Sequence, residues 1–402
     1  MKKVLYSSTA LAAAAAVALI PTGDAAAAEK AKKIQLGFGG GMTALVGFAN
    51  NESSFEKSGA ADVSGITGYE EFGVWTNTEV EIKGSVKLDS GITVSVEVEF
   101  EGDQVIANGG TSQSDSGVDH SFMRIKGGFG DVRIGSTSPV TAVLSQNAPW
   151  TGAIFPGVED AFWVKQPGGV ATFGPMGKMS TTNGADDAVK LQYITPQFAG
   201  FRAGVYYQPN SSKTEIVAAS GGNSGTEAQE WGAALNFETK VGSVSVKADF
   251  GRWQRRGAAV DSTDTTRFGG RLGFGDISVG GSYRDIGNSH SGIEGTTSSD
   301  DTEVFDIGVL FKPKGYSVGL HYVSGTKELS TAVAGDDNKS VLSLGATYDL
   351  GPGVSAVGTL FLVDYEDETT ADSLNNKGWA AVAGVKRSEE RRVGKECRSR
   401  WS

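Results

Sequence analysis

The sequence of 402 residues is poor in several things that most folds rely on. It has a single cysteine, Cys397, in a C-terminal stretch unlike the rest of the chain. The remainder needs neither disulfides nor thiol ligands, a usage that suits an exported protein. Proline is scarce, at 10 residues, which argues against a disordered linker. No internal stretch approaches the roughly 18 consecutive apolar residues of a membrane helix. Basic residues are outnumbered, 36 against 47, so nucleic acid is a poor partner. The three histidines, His120, His290 and His321, are dispersed without metal-ligand spacing. GPMGKMS at Gly174–Ser180 lacks the spacing of a phosphate loop, and no nucleophile elbow is present. No catalytic constellation emerges, so the chain is not read as an enzyme, and no cofactor or resident metal is expected.

What the chain has is glycine, 57 residues, and alternation. In EVEIKGSVKLDSGITVSVEVEF, Glu79–Phe100, charges favour every second position and valine, isoleucine or leucine fills the others. Such stretches recur in pairs around short connectors with hairpin chemistry, among them Asp89-Ser90-Gly91, Gly128-Phe129-Gly130 and Gly351-Pro352-Gly353. Seven hairpins, an opening strand near Lys33–Ala49 and a last strand from Lys377 to Lys386 predict about 16 strands. Longer polar loops separate the pairs, at Asn50–Asn77, Gly102–Asp119, Pro209–Ala228, Ile286–Thr302 and Gly325–Lys339. Short turns at one end and long loops at the other are the asymmetry of a transmembrane antiparallel β-barrel. A ten-residue strand tilted near 45° rises about 23 Å, close to the roughly 25 Å apolar band of such barrels.

Parity assigns the faces. Trp231, Ala233, Leu235 and Phe237 form one apolar row, as do Phe305, Ile307, Val309 and Phe311. The alternate rows, such as Ser243, Ser245, Lys247 and Asp249, make a poor packed core but a good wet lumen. A basic side chain at mid-bilayer costs about 2–4 kcal/mol, so the apolar row faces lipid. Strands 354–364 and 377–386 read equally well either way.

Residues 1–28 have the pattern of a secretory signal: Lys2 and Lys3, an apolar run from Leu11 to Ile20, and Ala26-Ala27-Ala28 before Glu29. At the other end, RSEERRVGKECRSRWS, Arg387–Ser402, is similar to the translated product of a common sequencing adapter and is expected to be non-native. The barrel is therefore assigned to 29–386, with its last strand clipped. Residues 1–28 hold two lysines and one aspartate, and 387–402 hold six bases and three acids. Without them 28 bases face 43 acids, a net charge of −15.

WTNTEVEIKGSVKLDSGITVSVEVEFEG, HSFMRIKGGFGDVRIGS and VKLQYITPQFAGFRAGVYYQ resemble, in order, hairpins of the Gram-negative general porins, alphaproteobacterial type. The likeness covers about 33–386 and is strongest over 75–208. It implies a homotrimer of 16-stranded barrels in the outer membrane, in contact with lipid and lipopolysaccharide, passing small hydrophilic solutes passively. Family members end in an aromatic residue, which this chain lacks after Lys386. By resemblance the loop Gly102–Asp119 latches onto a neighbour.

The stretch from Thr137 to Asp187 matches the family's third loop, which folds inward and narrows the pore. About 50 residues without clear strands are unusual unless functional. Glu159 and Asp160, near Phe155, Phe162 and Trp163, are the candidate pore-facing acids; the alternative is that they cap a short turn beginning near Pro156. Parity turns Lys83, Lys87, Arg124, Lys126, Arg133, Arg202, Arg267, Arg271 and Arg284 inward as an opposing basic wall. Acids facing bases orient dipolar solutes. The alternative is local pairing with Glu97, Glu99 or Asp131, each pair worth about 0–1 kcal/mol. The net charge implies a mild cation preference. Outer-loop acids such as Asp300-Asp301 and Asp336-Asp337 offer divalent-cation ligands, though without fixed spacing. The competing reading is a structural or adhesive outer-membrane barrel with a blocked lumen.

Overall fold

The computed structural model describes residues 35–58, 68–102, 117–168, 188–210, 228–257, 263–287, 301–328 and 335–393. The signal at 1–28 and most of the tail at 387–402 lie outside them.

Sixteen strands run in chain order: β1 (Gln35–Asn50), β2 (Phe72–Lys87), β3 (Thr93–Glu101), β4 (Val118–Gly127), β5 (Gly130–Ser136), β6 (Val189–Ile194), β7 (Phe201–Gln208), β8 (Ala228–Val241), β9 (Val244–Gly257), β10 (Thr263–Phe274), β11 (Ile277–Gly287), β12 (Thr302–Phe311), β13 (Tyr316–Glu328), β14 (Asp336–Gly351), β15 (Val354–Glu366) and β16 (Asn376–Val393). Each pairs antiparallel with the next, and β1 pairs with β16 to close the barrel. Closure leaves no strand edge unpaired, the condition a sheet must meet in lipid. Two short helices, α1 (Ser53–Lys57) and α2 (Val140–Val143), sit in loops.

Every predicted hairpin forms. At the tight turn between β10 and β11, Gly275 takes φ +58, which any side chain would strain. Three boundaries differ. The loop expected over 50–77 contains α1, and β2 begins at Phe72, because the long β1 continues to offer partners up to Phe48↔Phe72. Asp336 and Asp337, expected in a loop, open β14 opposite Glu328 and Lys327. And β16 does not stop at Lys386: Arg387–Val393 stay in register with Met42–Leu36 of β1. Unpaired donors and acceptors on β1 hold these backbone groups whatever the side chains are. Strand lengths thus run from 6 to 18 residues, the longer ones continuing as polar ribbon beyond the apolar band.

Parity holds around the wall. Leu235, Phe250, Phe305, Ile307 and Leu320 face outward, with Ile307 55% exposed. So continuous an apolar surface has no place in water. Aromatic pairs collect at both rims: Phe201–Phe237 and Phe311–Tyr316 by the short turns, Phe48–Phe72 and Phe305–Tyr322 toward the long loops. These are the interfacial girdles of a membrane barrel.

The two strands of ambiguous parity now resolve. Leu360, Leu362, Trp379 and Val385 point out, while Val357, Phe361, Val363, Tyr365, Ala380 and Val382 point in and are buried. Their inner face is apolar because a loop packs on it from inside, with Ala153, Ile154 and Val164 in the same cluster. Two apolar faces cannot be told apart by alternation alone.

Leu235→Arg places a cation on the lipid face and is expected to cost about 2–4 kcal/mol. Refolding into vesicles with a urea series measures it, and an unchanged unfolding free energy would mean that this face meets water.

Candidate functional site

The chain enters the lumen after β5, and the described part of the inward loop, 137–168, travels round the inner wall. Little of it is regular, so its backbone groups need partners elsewhere. The wall supplies them. On the donor side, the N–H of Gln146 reaches Asp249 Oδ1 at 2.7 Å, that of Ala148 reaches Asp306 at 3.3 Å, that of Ala153 reaches Thr359 Oγ1 at 2.8 Å, and that of Lys165 reaches Asn51 Oδ1 at 3.0 Å. On the acceptor side, Gln192, Asn236, Arg271 and Asn376 donate to the carbonyls of Ser138, Leu144, Asn147 and Lys165 at 3.0, 2.9, 2.7 and 2.7 Å.

Apolar contacts secure both ends of this path. Near its start, Val140 and Leu144 pack with Ile194, Tyr206, Ala234 and Trp253. Farther on, Trp163 fills the space over Gly47 and Gly73, and Phe162 stacks on Trp75 at 6.2 Å. Between them, a Cβ on Gly308 would lie 2.7 Å from the Pro149 carbonyl oxygen, so only glycine lets the loop pass there.

This docking corrects the expected placement of several charges. Asp160 does not face the pore. It is fully buried, 2.8 Å from Lys339 Nζ, and accepts a hydrogen bond from the Tyr365 hydroxyl at 3.3 Å. Glu159 opens the 3₁₀ turn Glu159–Phe162, and its Oε2 accepts the Phe155 N–H at 2.7 Å. It thereby closes a turn that starts at Phe155. Isolated buried carboxylates are costly, so inside the barrel both acids find partners.

The basic wall divides likewise. Arg267 is buried against Asp249 and donates to Asn147 Oδ1 at 3.1 Å; Arg271 holds the Asn147 carbonyl; Arg284 is fully buried beside Arg267, opposite it in the β10–β11 ladder. Arg267 and Arg271 lie beneath the loop rather than along an open channel. Arg124 meets Asp131 at 2.5 Å, and Arg133 reaches the same carboxylate at 3.2 Å, the local pairing that parity left open. Arg202 bonds Asn236 and Glu238 at 3.1 and 2.9 Å. Lys126 lies exposed near the short-turn rim, and Lys87 is exposed at the end of β2.

The contacts of the described loop run from β6 round to β2. Charge on β2, β3 and β4 forms a ladder: Glu79, Glu81, Lys83, Glu97, Glu99 and His120. Lys83 sits 2.5 Å from Glu81 and 3.9 Å from Glu97. His120 Nδ1 lies 3.2 Å from Glu99 Oε2. The dispersal of histidines along the sequence did not reveal that last grouping; cross-strand register made it. Asp337 is drawn together with Asp367 and Glu368, donor atoms within 4.8 Å of one another. His290 and Asp300 lie outside the described residues. Beneath the loop a cavity of about 770 Å³ opens between Glu79, Trp150, Tyr316 and Lys386.

A closed antiparallel barrel with an apolar outer belt, a charged lumen and an inward-folded loop is the architecture of an outer-membrane pore-type barrel. The profile of the Gram-negative porin family matches residues 7–368, and the chain belongs to that family. Many solved structures share the fold, among them the following three. An anion-selective porin from Comamonas acidovorans is 17% identical, with TM-score 0.58, over 89% of this chain and 100% of that one. OmpT of Vibrio cholerae in its trimer form is 12% identical, TM-score 0.58, over 89% and 100%. Salmonella typhi OmpF, in complex with daunomycin, is 14% identical, TM-score 0.56, over 89% and 98%. Among curated proteins, an uncharacterized protein of Rickettsia conorii is 22% identical over 220 residues, which make up 42% of this chain and 49% of the relative. The chain thus spans about half the length of the curated relative it matches.

Asp160→Asn leaves Lys339 buried beside a neutral amide, a loss of up to about 3–5 kcal/mol. The midpoint of heat-induced unfolding in detergent should fall. An unchanged midpoint with an altered reversal potential would return Asp160 to the pore. Gly308→Val should lift the loop off β12, exposing the 137–168 backbone to protease at a concentration that spares the parent chain. Equal protection would show that the close approach is not needed.

Proposed function

We propose that the protein forms a water-filled channel across the outer membrane for passive diffusion of small hydrophilic solutes and ions, with a mild preference for cations. The supporting observation is the charged inner face of β2 and β3. Inward acids Glu79, Glu81, Glu97 and Glu99 face the lumen on β2 and β3, with Lys83 the base paired among them. Arg124 and Arg133 share Asp131, which offsets much of their field. A polar lumen with the loop fixed to its wall favours solutes that keep their water and penalises apolar ones.

The active unit in this reading is a homotrimer whose outer belt touches lipid acyl chains and lipopolysaccharide. Family membership supports it, as does the trimer form of the Vibrio cholerae relative. Catalysis has no part in it.

Planar-bilayer recording of the purified protein tests the proposal. Stepwise openings in groups of three, and a reversal potential on the cation side in a salt gradient, are expected. The double variant Glu81→Gln, Glu97→Gln should lower the cation-to-anion permeability ratio. Silence across preparations that retain the folded barrel would favour the blocked-lumen, adhesive reading.

A further inference from the structure

Alternation normally sends neighbouring residues of a strand to opposite faces. At the long-loop end of β3 and β4 it fails. Between β3 and β4, Val98 pairs with Ser121 and Phe100 pairs with Val118. One residue of β3, Glu99, therefore stands opposite two of β4, Asp119 and His120. This is a β-bulge, a device that re-aims side chains. Here the bulge puts His120 between the two acids: its Nδ1 is 3.2 Å from Glu99 Oε2, and its Nε2 is 3.8 Å from Asp119 Oδ2. One donor atom from each of the three lies within 4.8 Å of the others. Ser136 Oγ donates to the Asp119 carbonyl at 3.3 Å, tying the bulge to β5.

We propose that Glu99, Asp119 and His120 form a binding site for a divalent first-row transition-metal ion such as Zn²⁺ at the long-loop mouth of the channel. The donor set is one imidazole nitrogen and two carboxylates, borderline in softness, which suits zinc better than magnesium or calcium. Ligands about 2.0–2.2 Å from a tetrahedral zinc lie roughly 3.3 Å apart. The Nδ1–Glu99 distance of 3.2 Å already matches, and since the three donor atoms lie within 4.8 Å of one another, Asp119 closes on the same ion with a shift of about 1.5 Å or less. All three side chains are partly open to the lumen, with side-chain exposures of 13, 27 and 21% for Glu99, Asp119 and His120, so an ion arrives without the wall unfolding. The fourth position falls to water or to Glu79, whose carboxyl lies within hydrogen-bonding reach of Glu99.

Bound there, a dication neutralises the acid end of the charge ladder. The site then tunes permeation as well as retaining metal. The binding claim stands apart from the channel reading; only the conductance effect rests on it.

Isothermal titration of Zn²⁺ into the untagged, detergent-folded protein tests the binding directly. One ion per chain is expected, with affinity falling roughly tenfold or more in His120→Ala and in Glu99→Gln. His120→Gln, which keeps a polar side chain of similar size, guards against a folding defect and should lose affinity equally. In bilayers, Zn²⁺ at the same concentration should lower the cation-to-anion ratio of the parent and leave His120→Gln unchanged. Equal Zn²⁺ affinity in parent and His120 variants would overturn the site, as would Ca²⁺ or Mg²⁺ binding as tightly as Zn²⁺. Normal zinc binding with no conductance at all would leave the site standing and remove the channel.

Discussion

The structure depends on one constraint: a strandless segment inside a barrel must still satisfy its backbone. Water can do this in a wide lumen, but the segment 137–168 lies flat against protein. Its amides and carbonyls are therefore met by wall side chains, from Asn51 and Asn376 at one end to Asn236 and Gln192 at the other. Asp249, Asp306, Arg267 and Arg271 belong to this set. Each would be costly if buried alone. Paired with loop backbone, each removes its own penalty and that of a peptide group.

That arrangement divides the lumen. Where the loop docks, inward residues are apolar, as at Val341, Val363 and Ala380, or polar and committed to the loop. Where it does not dock, inward residues stay charged and partly solvated, as at Glu97 and Lys83. The same side-chain type thus has two duties. Arg271 is a carbonyl donor, whereas Arg202 bonds Asn236 and Glu238 on the neighbouring strand. In this chain, which inward residues stay charged follows from the wall on which the described loop docks.

Much of the fold was legible because strand alternation and turn chemistry are local signals. The hairpin at Gly275 and the outward row Phe305, Ile307, Val309, Phe311 needed no tertiary information. The site was legible only in part. Parity turned Arg267 inward, but nothing local told an arginine under the loop from one beside open water. In the sequence Asp160 looks like a pore acid because it stands near aromatics in a stretch that resembles the family's inward third loop. Its partners Lys339 and Tyr365 are some 200 residues away in sequence. The Glu99–Asp119–His120 grouping was hidden because a bulge breaks the rule that parity relies on.

The sequence by itself determined the number of strands, the end at which they turn tightly, and which row meets lipid. These follow from period-two patterning and from the cost of a charge in hydrocarbon, both readable along the chain. Only the tertiary structure decided the parity of β15 and β16, the fate of each inward charge and the pairing of Arg387–Val393 with β1. Those outcomes are fixed by which surfaces come to face each other across the lumen, and a side chain's partner there is chosen by register and loop path rather than by its neighbours in the chain.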